Sequence, residues 1–294
     1  MNDILVFNIA RLAVKSMLNA GAAWPKPGLV TPLADAAGTA FQTIVEGALG
    51  LLPCFINCAS IGLETEAMNP EDVMTLLRPA GMQGEREVQG VVRGRTSFKG
   101  SIFFLGLFSA AAGRLFAQER NLTPLALALT ASSCVRGLME RELRGLDEGS
   151  AELTPGERAW TLYGVDGARG EAERGFPVVV QAVDLLRQLE EGDDAPSGRE
   201  SAAQALLGIL AGNSDSALAE RAGLDGMLRV QAEAKAALLA GGVLTSEGRK
   251  AVDALDRRLR EADVSPRGAE VALAAALFVR DLEALRPTRS GREE

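Results

Sequence analysis

The sequence predicts an all-α protein folded as a single multi-helical domain, and three observations carry that prediction. Ala and Leu dominate the apolar positions, and both lose little freedom in a helix. Aromatics make up only 4% of the 294 residues, and residues that favour strands are thin. No strand–helix–strand alternation and no repeat period stands out along the chain. With 47% hydrophobic and 24% charged residues, the chain has an ordinary globular balance and ample length for a buried core. The expected domain is 1–285. The tail 286–294 carries charge with nothing apolar to bury, so it is expected to fray.

Asp3 to about Ala20 reads as an amphipathic helix, with Leu5, Ile9, Leu12, Val14 and Met17 near helical spacing. Trp24-Pro25-Lys26-Pro27-Gly28 breaks it, because two prolines around a lysine give a stiff, extended turn. A helix-rich stretch is expected from Ala34 to Gly62. Asn69-Pro70-Glu71-Asp72 is a helix start, with Asn as cap, Pro in the first position and acids in the first turn. Lys99-Gly100 opens an apolar run to Ala117 whose glycines and small residues predict tight interior packing. Thr123-Pro124 opens a helix towards Leu143, and Gly145 to Pro155 reads as a surface connection. Further helices are expected at about 177–191, 199–212, 224–240, 246–262 and 268–286, with a polar linker from Gly192 to Gly198.

Composition also excludes function classes. A net charge of −8 argues against a nucleic-acid partner, which needs a basic face. Gly47 to Leu63 and Gly100 to Gly113 are shorter than the ~20 residues of a spanning helix. Met1-Asn2-Asp3-Ile4 lacks the basic start of a secretory leader. The expectation is a cytoplasmic protein with no membrane association; a homo-oligomer stays open. Cys54, Cys58 and Cys134 are expected as reduced, buried thiols without zinc. The chain has 0 histidines, which removes His-based triads, His general bases and His metal sites together.

Chemistry must then rest on carboxylates, Lys and Arg. The most unusual segment runs from Tyr163 to Pro177. Gly164, Gly167 and Gly170 permit close backbone approach, and Asp166, Arg169, Glu171, Glu173 and Arg174 stand among them. That mixture suits a phosphate clamp with Mg²⁺; a solvated inter-helix loop is the alternative. In Gly81 to Ser101, Glu85 and Glu87 precede Arg93, Arg95 and Lys99, where a lysine and a helix N-terminus can share an anion. Lys26 in its rigid turn is a third candidate, and Asp215 with Arg221 a fourth, although an ordinary N-cap also explains Asp215.

These four places occur in the order seen in triphosphoribosyl-dephospho-CoA synthases, which the chain resembles from about Asn8 to Leu285. The resemblance rests on Lys26-Pro27-Gly28-Leu29-Val30, Lys99-Gly100-Ser101-Ile102-Phe103, and the long Tyr163–Pro177 string. It departs from the family at several points. Phe98 stands where the family reads His, and Ala36 to Phe41 supply neither the His nor the acid of a Gly-x-His-x-Asp stretch. Asp215-Ser216-Ala217 replaces Asp-Thr-Asn, and Ala222 replaces a glycine after Arg221. Ser265-Pro266-Arg267-Gly268-Ala269-Glu270 replaces Ser-Pro-Gly-Gly-Ser-Ala-Asp, so Glu270 precedes the expected acid by one place, about 100° away on a helix.

The resemblance implies an all-helical fold and transfer of the 5-triphosphoribosyl unit of ATP to the ribose 2′-hydroxyl of 3′-dephospho-CoA. Adenine is released and Mg²⁺ rides on the triphosphate. It further implies a link to acyl carrier protein pathway enzymes, because the product is a prosthetic-group precursor. The residues expected to act are Glu171, Glu85 and Asp166 in catalysis. Lys26, Lys99, Arg169, Arg174, Gly167, Gly170 and Arg221 are expected on the nucleotides, and Glu85, Glu171, Glu173 and Asp215 on the metal. The alternative is a family member that binds a nucleotide or a partner protein without chemistry.

Overall fold

The chain is described by a computed structural model over residues 2–147, 153–191 and 195–285. Its helices begin where the sequence places caps and prolines. The first, α1 (Asn2–Ala22), buries Ile9, Ala10 and Ala13. The Lys26 turn follows, and Thr31 pairs with Ala34 and Ala36 with Thr39 in isolated bridges. These bridges hold the backbone out of helix, so the helix expected from Ala34 starts only at α2 (Phe41–Gly50). Leu51 separates α2 from α3 (Leu52–Glu64), which opens on Pro53.

Pro70 opens α4 (Pro70–Val92), and α5 (Lys99–Ala117) is the apolar central helix. The helix expected from Thr123 to Leu143 is two helices, α6 (Pro124–Ser133) and α7 (Leu138–Leu143). Gly137 adopts φ 71 between them, a left-handed conformation that ends helical continuity. Next come α8 (Pro155–Tyr163), closed at its start by a Thr154/Glu157 capping box, and α9 (Gly167–Glu173), inside a stretch whose bland reading is a loop. The rest are α10 (Pro177–Glu190), α11 (Gly198–Leu210), α12 (Ser216–Leu239), α13 (Ser246–Glu261) and α14 (Arg267–Leu282). Helix α12 starts earlier than expected and bends at Gly223 (φ 72, ψ 173). The connection after Gly145 and the linker after Gly192 fall partly outside the described residues, and the tail 286–294 wholly so.

No strand is present among the described residues, so the fold is all-α. Its centre is the α3–α5 pair, flanked by α1 and α14. The predicted tight packing is literal. A Cβ built on Gly62 would lie 2.0 Å from the carbonyl oxygen of Ala110, and one on Gly113 would lie 2.3 Å from that of Ala59. Side chains at either point would force the two helices apart.

The three cysteines are free and buried, as expected. Counted by whole helices, the apolar segments are longer than their uncharged stretches suggest. Asn2–Ala22, Phe41–Glu64 and Lys99–Ala117 are each long and apolar enough to span a membrane. Here they face each other or α14 across the core.

Candidate active site

The start of α14 is where the Lys26, Gly100 and Asp215 segments meet. Asp215, fully desolvated, caps α12 by accepting the N–H of Ala217 at 3.0 Å and of Leu218 at 3.2 Å on one oxygen. Its other oxygen accepts the N–H of Ala269 in the first turn of α14 at 3.1 Å. A single carboxylate thereby joins two helix N-termini. Burial pushes its pKa up, against the pull of those N–H groups.

Lys26 reaches the same helix from the other side. Its side chain is fully buried, and Nζ donates to Glu270 Oε1 at 2.5 Å and to the carbonyl of Ala20 at 2.8 Å. A buried ammonium requires such a partner. The one-place shift of Glu270 was expected to turn it away from the site. Instead it is the counter-charge of Lys26, since the first turn of α14 presents that face to the lysine turn.

The other two motif segments adjoin this junction. A Cβ on Gly100, at the start of α5, would stand 3.2 Å from Val271 of α14. One on Gly167, at the start of α9, would stand 2.9 Å from the hydroxyl of Ser216, the residue after Asp215. Arg169 and Ser216 also flank Gly156 together, at 3.7 and 3.8 Å from its Cβ position. Lys26, Gly100 and Asp215 thus each meet α14, and Gly167 and Arg169 adjoin them through Ser216, while the Lys99 side chain is exposed.

The charges of the α9 turn are mostly engaged within the protein. Arg169 Nε donates to Glu142 at 2.7 Å and its Nη2 to Glu157 at 3.2 Å. Arg174 pairs with Asp166 and stands 3.9 Å from Glu171. The Asp166 side chain also lies over Gly170, where a Cβ would come within 2.1 Å of it. Glu171 is buried and accepts the N–H groups of Val178 (2.7 Å) and Val179 (3.4 Å), so it caps α10. Glu173 accepts those of Gly137 (2.6 Å) and Met139 (3.0 Å) at the start of α7. Burial pushes the Glu171 carboxyl up. Burial acts the same way on Glu142 and Glu157, but there the Arg78, Arg169 and Thr154 contacts win and both are lowered.

The expected metal ligands do not come together. Glu171, Glu173 and Asp215 are caps at three different helix starts, and carboxylate oxygens facing backbone N–H groups are poorly placed to bind a cation. Glu85 accepts from Gln89 at 3.2 Å, and its Oε2 is buried without a hydrogen-bond partner. Among the described residues no group of three or more Asp, Glu or Cys could hold a metal. The donor set does not fit a resident Mg²⁺.

Two clefts border the junction. One, of about 190 Å³, is lined by Gly28, Asp35, Arg260, Asp263 and Ser265. Arg221 sits by it, exposed and paired with Asp263 at 3.0 Å. The other, of about 60 Å³, is lined by Thr96, Ser97, Ser101, Arg267 and Glu270. Arg267 and Glu270 are the site residues that motif reading recorded only as departures. A lysine between two prolines on a helical protein was the available signal, since a buried one must find an acid.

No solved structure matches the chain. Residues 7–290 match the CitG family, described as ATP:dephospho-CoA triphosphoribosyl transferase, over nearly the whole sequence. On that match the chain belongs to the ATP:dephospho-CoA triphosphoribosyl transferase family.

Proposed function

We propose that this protein transfers the 5-triphosphoribosyl group of ATP to the 2′-hydroxyl of 3′-dephospho-CoA, releasing adenine. The product serves as the prosthetic-group precursor of an acyl carrier protein, and the reaction takes place in the cytoplasm. The observation that supports this reading is that three of the four motif segments, those of Lys26, Gly100 and Asp215, meet the first turn of α14, and that the fourth, the α9 turn, adjoins them through Ser216.

In the reaction the 2′-oxygen bonds to C1′ of the ATP ribose as the bond from C1′ to adenine breaks. The hydroxyl proton leaves to a carboxylate, and adenine departs with a proton. Positive charge builds on the ribose and is stabilised by nearby anions. Glu85 is the base in this reading: its Oε2 has no hydrogen-bond partner to compete for the proton, and Gln89 links it to the Thr96 segment. Glu171, held with a raised pKa, suits a proton-holding role, and Asp166 orients Arg174. Mg²⁺ in this reading travels with the triphosphate as part of the substrate.

The test is adenine release from ATP and dephospho-CoA with Mg²⁺. Glu85→Gln is expected to cut the rate about 10²-fold or more without moving the melting temperature. A wild-type protein that binds ATP but releases no adenine would support the second reading, nucleotide binding without chemistry. That reading is favoured by Phe98, buried where the family carries a histidine, and by the capping roles of Glu171 and Glu173.

A further inference from the structure

Arg267 occupies the first position of α14 and is half-buried in the smaller cleft, among Met17, Ala20, Ile44, Thr96 and Ser101. Its guanidinium donates to two neutral hydroxyls, that of Thr96 and, at 3.3 Å, that of Thr39. The nearest acid in sequence, Glu270, is committed to Lys26. Lys26, Glu270 and Arg267 together carry one net positive charge in a partly desolvated cleft, with Glu270 acting on Arg267 only through space and Asp215 turned to backbone N–H groups. No carboxylate forms an ion pair with Arg267 among the described residues. A guanidinium withdrawn from water without a counter-charge is costly, and its planar fork matches a phosphate in shape. Ser97 and Ser101 add hydroxyls beside it, and the cleft is open to the start of α5.

We propose that Arg267, with Thr96 and Thr39, forms an anion subsite that holds a phosphate of a substrate polyphosphate chain. It supplies from the protein a cation that no carboxylate-held metal supplies here. The proposal rests on the nucleotide-transfer reading above and deepens it by naming the group that grips the phosphates. Thr96 also ties the subsite to the proposed base: Gln89 Nε2 donates to the Thr96 carbonyl at 2.9 Å and to Glu85 at 3.2 Å. Phosphate capture at Arg267 would thereby fix the segment next to Glu85.

The experiment is calorimetric titration of the full-length protein with tripolyphosphate, ATP and dephospho-CoA, each in EDTA and in Mg²⁺. Arg267→Met keeps the stem and removes the charge, and Arg267→Lys restores a charge without the fork. The wild type is expected to bind tripolyphosphate in EDTA. Arg267→Met should weaken that binding at least tenfold with an unchanged or raised melting temperature, and Arg267→Lys should recover part of it. A loss confined to ATP and tripolyphosphate assigns the subsite to the triphosphate; one confined to dephospho-CoA assigns it to the diphosphate. Arg267→Met binding all three ligands within twofold of wild type overturns the proposal, as does a wild type that binds none of them in EDTA. Adenine release measured in parallel separates the two levels. Release with unaltered Arg267→Met affinities leaves the transferase standing and sinks the subsite. Arg267-dependent binding without release does the reverse.

Discussion

Two charge-rich regions of this protein look alike in sequence and differ in what their charges do. In the α9 turn, Asp166, Arg169, Glu171, Glu173 and Arg174 are all engaged, as helix caps or ion pairs. At the start of α14, one buried acid joins two helices, one acid neutralises a lysine, and an arginine is left without an acid. The lesson is that carboxylates in a glycine-rich turn serve first to satisfy N–H groups that helix starts leave open. A ligand anion is drawn to the region where a guanidinium has hydroxyl partners and no ion-paired acid. This comparison makes the α9 turn a frame and the α14 junction the place where an anion lands.

The sharpest way to break the comparison is to remove the tie between the regions. Asp215→Ala would strand three buried N–H groups, on Ala217, Leu218 and Ala269. The expected loss is about 3 kcal/mol, with a fall of roughly 5 °C in melting temperature. Asp215→Asn keeps one acceptor and should lose about 1 kcal/mol. Urea and thermal melts by circular dichroism measure both. An alanine variant that melts within 2 °C (about 1 kcal/mol) of wild type would mean the junction is not held by this carboxylate.

Next in size is the capping role assigned to the α9 turn. Glu171→Ala should destabilise by about 2 kcal/mol, because Val178 and Val179 lose their acceptor inside the protein. Glu171→Gln should lose less than half of that. Were the glutamate a ligand held away from α10, alanine would change activity and leave the melt untouched.

The two kinds of carboxylate also titrate in opposite senses. Glu142 and Glu157 are lowered on folding, so the unfolded chain takes up their protons first as pH falls. Their contribution is present above the ordinary value of 4.5 and is lost as pH drops through the lowered one. Glu171 is raised, so the folded chain takes up its proton first, and its ionised form costs stability as pH rises from 4.5 through the raised value. Urea midpoints from about pH 3 to 7 should show opposite trends. The advantage of wild type over Arg169→Met shrinks below pH 4.5, and that of wild type over Glu171→Gln shrinks above it. Parallel trends for the two variants would contradict the division of roles.

Much of this was legible in the sequence, and what was missed has a common cause. Helical class followed from Ala and Leu, and the starts of α4, α6 and α10 from Pro70, Pro124 and Pro177, because these are local effects. The four candidate segments are visible too, since glycines and charges at close spacing stand out along the chain. The destination of each charge was not. Whether Glu173 meets a metal or the amide of Gly137, 36 residues away, depends on how α7 packs on α9. The Lys26–Glu270 pair spans 244 residues, and no local pattern encodes it. The break at Gly137 and the early start of α12 at Asp215 are marked by single residues, a weaker signal than the helical periodicity that runs through or past them.

The smallest expected effect tests the outer rim of the junction. Arg221 is 56% exposed and pairs with Asp263, itself 68% exposed, in water where such pairs are screened and lose side-chain freedom. Arg221→Ala should therefore change stability by no more than about 0.5 kcal/mol. The pair borders the cleft of about 190 Å³, so the same variant reports whether that cleft is used. If one substrate lies there, Arg221→Ala raises the KM for that substrate severalfold and leaves kcat alone, the signature of lost uniform binding. An unaltered KM for both substrates would confine binding to the Arg267 side of α14 and make Arg221 part of the solvated surface.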